Sequence, residues 1–391
     1  MPTNVSASMS TIADALKLFY LDGLIYQANE AASVFLAQIE KTSRNVEGSQ
    51  VVIPLSYGVT GGIGARGESD ALPTSNPRKF KQMKVDTKNL FAVIQITDKV
   101  IQASRSNRGA FIQALESELT KAETDVKRDI SRQVMGDGTG LLATVASVSS
   151  NGTTHTVTVD SAKHFYEGML IDCYTTTTKD TSAAEVTSVD KVNNQIVFVS
   201  TTAPEAADLI YLAGNKDQEL SGLTKIMTAD NTLYDLDRST HKWFNPTVKN
   251  VAGEISEVKI QEGIDDAEDE TGSQINFLVG SKGVRRAYQN LLTAQKVIAN
   301  SLELKGGFKA LDYNGIPLVG DKYVPSGTLH ALDLGDYFMG QMAEWDWMDR
   351  DGSILKLVQG YAVYTAQLRK YCELCAQRPK GSVRFYGITE H

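Results

Sequence analysis

Between Asn107 and Met135 apolar side chains recur every three or four positions: Phe111, Leu115, Leu119, Ala122, Val126, Ile130 and Val134. That spacing predicts one long amphipathic helix with a single apolar stripe. Asn107 is placed to cap its start and Gly136 to end it. At about 1.5 Å per residue it would span roughly 40 Å. The other faces carry Glu116, Glu118, Lys121, Glu123, Lys127, Arg128 and Arg132. A helix this long with so narrow a stripe reads as a spine on which other parts are hung.

Upstream, Leu16, Phe19, Tyr20, Leu24, Val34, Phe35 and Ile39 keep helical spacing from Thr11 to Lys41, with Gly23 as a break. They predict an apolar N-terminal helical arm. Val51 to Leu55 reads as a strand, and Pro54 places it at an edge. An aperiodic run rich in Gly, Ser and Pro follows, SYGVTGGIGARGESDALPTSNPRKFKQ. MKVDTKNLFAVIQIT then reads as one returning strand. Two strands joined by so long a polar tip make an extended arm that reaches a neighbour, since loops of this length usually have a role. Thr97 to Ser104 reads as a short capped helix before the spine.

After the spine, GDGTG at 136–140 is a turn cluster. From Leu141 to Leu220 short Thr- and Val-rich runs alternate with polar turns, which predicts a small sandwich or barrel inserted into a host fold. From Thr224 helix and strand alternate. Thr247 to Asp269 has the spacing of an amphipathic helix, through Val248, Val251, Ile255, Val258 and Ile264. Ile275–Val279 reads as a buried strand, turning at Gly280 and Ser281 into a helix over KGVRRAYQNLLTAQKVIAN. Ile316–Val319 and Thr328–Leu332 read as strands, and Trp345 opens a final β-rich region through Ile388. The fold class is α+β.

The formal net charge of −8 over 391 residues, with no concentrated basic face, argues against a dedicated nucleic-acid binder. Three cysteines argue against a disulfide scaffold. The start has no signal-peptide pattern and no apolar run approaches the roughly 20 residues of a membrane span. Synthesis and folding in a cytoplasm are expected, with no membrane partner.

The candidate chemical motifs fail on context. Gly62, Gly64 and Gly67 spell G-x-G-x-x-G after a strand, but two prolines follow where a dinucleotide site needs a helix. Cys372 and Cys375 are spaced as C-x-x-C in a predicted strand, not at a helix N-terminus. Asp265, Asp266, Glu268, Asp269 and Glu270 lack the EF-hand pattern and read as a solvated helix end. His155, His164, His241, His330 and His391 form no metalloprotease motif, and G-x-S-x-G is absent. No catalytic residue, cofactor or metal is expected.

The order of parts resembles the major capsid proteins of tailed bacteriophages, the Hong Kong 97-type fold. KNLFAVIQITDKVIQAS is similar to the return of that family's extended loop, and RDISRQVMGDGTG to the end of its spine helix. NFLVGSKGVRRAYQNLL, followed by DYNGIPLVGDKYVPSGTLHALDLGDY, is similar to its axial domain. Only 141–220 departs from the minimal fold. The resemblance implies an N-terminal arm (1–45), an extended loop (46–97), a peripheral domain with the spine (98–140) and an inserted β domain (141–220). An axial domain (221–340) and C-terminal return strands (341–391) complete it.

It further implies a non-enzymatic subunit of a virion capsid, assembling as hexamers and pentamers into an icosahedral shell around double-stranded DNA held non-specifically. A separate scaffolding protein and a portal are the implied partners. Contact candidates between subunits are Arg66, Glu68, Arg78, Lys79, Lys81 and Lys84 on the loop, with Arg128 and Arg132 on the spine. Nothing marks an acid catalyst or target asparagine for cross-linking Lys79 or Lys81. The alternatives are an encapsulin-like cellular shell and, from another class, a soluble α/β enzyme using the glycine-rich loop.

Overall fold

The structure, a computed structural model, describes residues 33–59, 61–74, 76–99, 108–294, 301–304, 308–349 and 354–391, leaving aside the side chains of 108–119, Ala294 and Ser301. The chain divides into two units, Gly136–Leu220 and the remainder, Met1–Met135 with Ser221–His391.

The larger unit begins with α1 (Val34–Gln38), β1 (Glu40–Thr42) and β2 (Val46–Glu47). Most of the expected N-terminal arm, residues 1–32, lies outside the described residues. Its predicted C-terminal end differs: Glu40 and Lys41 are strand, pairing in parallel with Phe338 and Met339. Next come β3 (Gln50–Tyr57), β4 (Lys79–Asp86) and β5 (Lys88–Thr97). The returning strand is thus two strands with different partners. β4 pairs with β3, and β5 with a strand near the C-terminus. Residues 100–107, including most of the short helix and the Asn107 cap, lie outside the described residues. The spine is α2 (Arg108–Met135). Its stripe buries Val126, Ile130 and Val134.

The inserted unit is all β: β6 (Leu141–Asn151), β7 (Thr154–Val159), β8 (Leu170–Thr175), β9 (Thr178–Asp190), β10 (Gln195–Val199) and β11 (Leu209–Leu212). They close a barrel in the order β10-β7-β6-β11-β8-β9. Alternation is plain in β7, where His155, Val157 and Val159 point inward. Phe165, Ile171, Val186, Ile196 and Phe198 fill the centre. Buried His155 is satisfied locally, by Ser150 Oγ at 2.8 Å and the Ser200 carbonyl at 3.1 Å.

Back in the larger unit, α3 (Leu223–Ile226), β12 (Thr232–Leu233) and β13 (Leu236–Asp237) form a compact turn region. Fully buried Arg238 organises it, donating to the carbonyls of Ile226 and Lys225. Then come β14 (Thr247–Gly253), α4 (Glu257–Thr271), β15 (Phe277–Ser281), α5 (Lys282–Ala294), β16 (Ser301–Leu304), β17 (Phe308–Tyr313), β18 (Ile316–Asp321) and β19 (Leu329–Leu332). The last strands are β20 (Tyr337–Trp347), β21 (Lys356–Leu357), β22 (Val363–Ala376) and β23 (Val383–Ile388). Seven of these strands build a mixed sheet, β14-β23-β19-β15-β18-β17-β16. α4 and α5 bury Ile260, Ile264, Val284 and Tyr288 in the core they share with Leu278 and Phe385.

The helix expected from Thr247 to Asp269 is therefore a strand followed by a helix. β14 pairs in parallel with β23, and its register shifts between Asn250 and Gly253, with Ala252 at φ 46°. Val248 and Val251 lie on opposite faces of this strand, Val248 exposed and Val251 buried, and valines on both faces at three-residue spacing imitate a helix. α4 starts only at Ser256, whose hydroxyl accepts the Lys259 N–H. A second sheet runs β1-β20-β22, with β21 and β5 also on β22.

Candidate functional site

The extended loop is built from opposed residues of β3 and β4. Val51 faces Val85, Ile53 faces Met83, Leu55 faces Lys81 and Tyr57 faces Lys79. Opposed residues share a face of the ribbon. The face is apolar and buried at its base, through Val51, Ile53, Met83 and Val85, then turns basic through Lys81 and Lys79. The base rests on the second sheet: a methyl on Gly340 of β20 would come within 2.7 Å of Val51 Cγ2. At the outer end Tyr57 stacks on Trp243, with ring centroids 4.7 Å apart and planes 4° from parallel.

Beyond Tyr57 the described residues of the loop from 58 to 78 are almost wholly exposed. It holds three large apolar side chains in solvent: Val59 at 85%, Ile63 at 86% and Leu72 at 85%. Phe80, on the opposite ribbon face across from Ser56, is 73% exposed. The outward face of β5 adds Phe91 and Val93, exposed beside Arg369 and Gln367 of β22. Phe91 meets Tyr371 edge-on at 6.3 Å. These apolar groups held in solvent on the arm and on the neighbouring sheet face form the candidate interaction surface.

The charged candidates separate into two groups. Arg66, Glu68, Arg78, Lys79, Lys81 and Lys84 are all exposed, and none forms an ion pair among the described residues. Arg66 reaches only the Ala65 carbonyl, at 3.4 Å. Arg128 and Arg132 pair within their own helix, with Asp125 at 3.0 Å and Asp129 at 2.7 Å. Lys79, Lys81 and Lys84 lie on β4 of the ribbon, Arg66, Glu68 and Arg78 on the irregular tip beyond it, and the two spine arginines lie elsewhere. Tyr57, Trp243 and the apolar tip are the residues the sequence reading passed over. Single large apolar residues inside an otherwise Gly-, Ser- and Pro-rich loop were the available signal.

Beneath the loop, β22 carries buried charge. Lys370 pairs with Glu344 at 2.5 Å. Glu373 accepts the N–H groups of Ser221, at 2.7 Å, and Leu374, at 3.0 Å. Burial pushes its carboxyl up to about 8. The neighbouring thiols are inert: burial pushes Cys372 up to about 12 and raises Cys375 further still. The G-x-G-x-x-G segment opens no helix, since 61–78 has no regular structure among the described residues. No helix of the described residues is long and apolar enough to cross a membrane.

No family model matches the chain, and no curated protein matches it in sequence. Solved structures do resemble it. The capsid of cyanophage A-1(L) superposes with a TM-score of 0.54 at 10% identity, over 95% of this chain and 94% of that one. The capsid of an empty GTA particle gives 0.51 at 10% identity, over 91% and 90%. With the exposed ribbon, the spine, the helix-backed mixed sheet and the inserted barrel in place, this chain has the Hong Kong 97-type capsid fold.

Proposed function

We propose that the chain is the major capsid protein of a tailed bacteriophage, assembling as hexamers and pentamers into an icosahedral shell that encloses double-stranded DNA. One observation carries this reading on the shared fold. The extended loop presents five cations without an ion pair, Arg66, Arg78, Lys79, Lys81 and Lys84, and three solvent-held apolar side chains, Val59, Ile63 and Leu72, with no partner among the described residues. A second copy of the chain supplies that partner. Each exposed ion pair contributes only about 0–1 kcal/mol, but a closed shell repeats every contact many times. The DNA is held without specificity by a chain of net charge −8, because an interior that bound phosphates tightly would hinder their movement. A separate scaffolding protein and a portal take part in assembly within the host cytoplasm.

Electron microscopy of the purified protein tests the reading, with nucleic-acid analysis of any particles. Shells containing double-stranded DNA from infected cells are the expected result. Shells filled with a protein cargo would mean an encapsulin-like compartment. Monodisperse monomers under every condition would sink both.

A further inference from the structure

Charge in this chain is segregated. The inserted unit, Gly136–Leu220, holds eleven Asp and Glu against four Lys and no Arg, so it carries −7 of the net −8. The barrel is also incompletely laced. β9 pairs with β10 only from Asp190 to Val186, while its other edge pairs with β8 from Glu185 to Thr178. Past Val186 the two strands part. The side chain of Thr181 bridges the gap to Ser200 Oγ at 3.0 Å where backbone rungs have stopped. Between them lies a groove of about 500 Å³, lined by Asp180, Ser182, Glu185, Thr187, Val199 and Thr201. No aromatic ring lines it, so it offers a sugar no stacking platform. It offers a strand edge, hydroxyls and two carboxylates, of which Glu185 is exposed and has no partner among the described residues.

The same chain presents the complement. β4 pairs with β3 on one edge and with nothing on the other among the described residues. Its sequence from Asn76 to Lys84, NPRKFKQMK, carries four cations. We infer that the open seam of the barrel, at Ser182–Glu185 and Val199–Thr201, receives the free edge of β4 from a second copy of the chain. Backbone pairing between two strand edges gives the affinity, and alternate side chains give the specificity. Lys79 and Lys81 project on one side of β4 and reach Glu185 and Asp180. The acidic field of the barrel draws the basic ribbon in. This inference rests on the reading that copies self-assemble and names the acidic surface that the loop engages.

The test has two arms. A fluorescent peptide of sequence NPRKFKQMK is titrated against the purified full-length chain and its Glu185→Gln and Glu185→Lys variants. Saturable binding is expected, weakened about tenfold by Glu185→Lys and less by Glu185→Gln, and lost when the peptide's Arg78, Lys79 and Lys81 are replaced by Glu. In the second arm, assembly yield is compared for Glu185→Lys, for Lys79→Glu with Lys81→Glu, and for the three changes together. Each charge reversal lowers yield and the combination restores part of it. Binding indifferent to both Glu185 variants, or variant shells forming as well as the parent's, overturns the docking while leaving self-assembly intact. Failure of the parent chain to form shells overturns the assembly reading instead, and the peptide arm still decides whether the groove takes a basic strand.

Discussion

Tyr57 lies flat against Trp243, the two rings 4.7 Å apart and within 4° of parallel. They are the last firm contact between the loop stem and the body before the chain runs out into solvent. Tyr57→Ala is expected to lower the stability of the folded subunit by only about 1 kcal/mol but to reduce shell yield several-fold, because the arm loses its fixed angle. Tyr57→Phe keeps the stack and should behave as the parent. Trp243 fluorescence reports the loss directly. Equal yields from the Ala and Phe variants would show that the stack does not set the arm.

The ribbon's base meets its sheet at a glycine. A Cβ on Gly340 would sit 2.7 Å from Val51 Cγ2 and 3.4 Å from Cys375 Sγ. Gly340→Ala should cost about 1–3 kcal/mol in urea unfolding. Adding Val51→Ala should recover part of that loss, a coupling that a double-mutant cycle reads. Strict additivity of the two changes would mean that the valine and the glycine do not touch.

The stability contributed by Glu373 should fall as pH rises from about 4.5 to about 8. Burial lifts the Glu373 carboxyl from 4.5 to about 8, so across that window the folded chain keeps a proton that the unfolded chain has given up. Glu373→Gln retains an oxygen for the Ser221 and Leu374 N–H groups and cannot ionise. Its melting temperature should exceed the parent's at pH 9, and the gap should shrink at pH 5. A gap independent of pH would remove Glu373 from the titration. Fully buried His330 acts at the other end: burial, helped by Arg384, holds its imidazole down to about 3, so stability is lost as pH falls below 6.5.

Residues 136–220 expressed alone should fold as a barrel. Their core, around Phe165, Ile171, Ile196 and Phe198, is drawn from within the unit. A cooperative thermal transition by circular dichroism is expected, with Phe198→Ala costing about 3–5 kcal/mol. An unfolded product would show that the barrel needs its host.

The parts of the fold that the sequence disclosed are those held by near neighbours. The stripe through Val126, Ile130 and Val134 and the alternation in β7 are local patterns, and the structure has both. What stayed hidden depends on distant partners. β14 looks helical until β23, more than a hundred residues on, is laid beside it and the irregularity at Ala252 is seen. The break between β4 and β5 did leave a trace. Buried positions are odd-numbered through Met83 and Val85, then even-numbered through Leu90, Ile94 and Ile96. A continuous strand changes its buried parity only through a bulge or a break, and here the run from Lys79 to Thr97 breaks at Thr87. Of the loop residues, the cations were legible as a cluster. The Tyr57–Trp243 stack was not, because nothing local ties positions 186 residues apart.

The Thr224 hydroxyl donates to the Met135 carbonyl at 2.6 Å. Those residues flank the departure and return of the chain around Gly136–Leu220. The host has therefore brought its two cut ends together and fastened them with its own hydrogen bond. A socket of that kind makes few demands on its occupant beyond closely spaced termini. Foreign modules grafted there, or a short glycine-rich bridge in place of the barrel, should leave the host's own sheets intact.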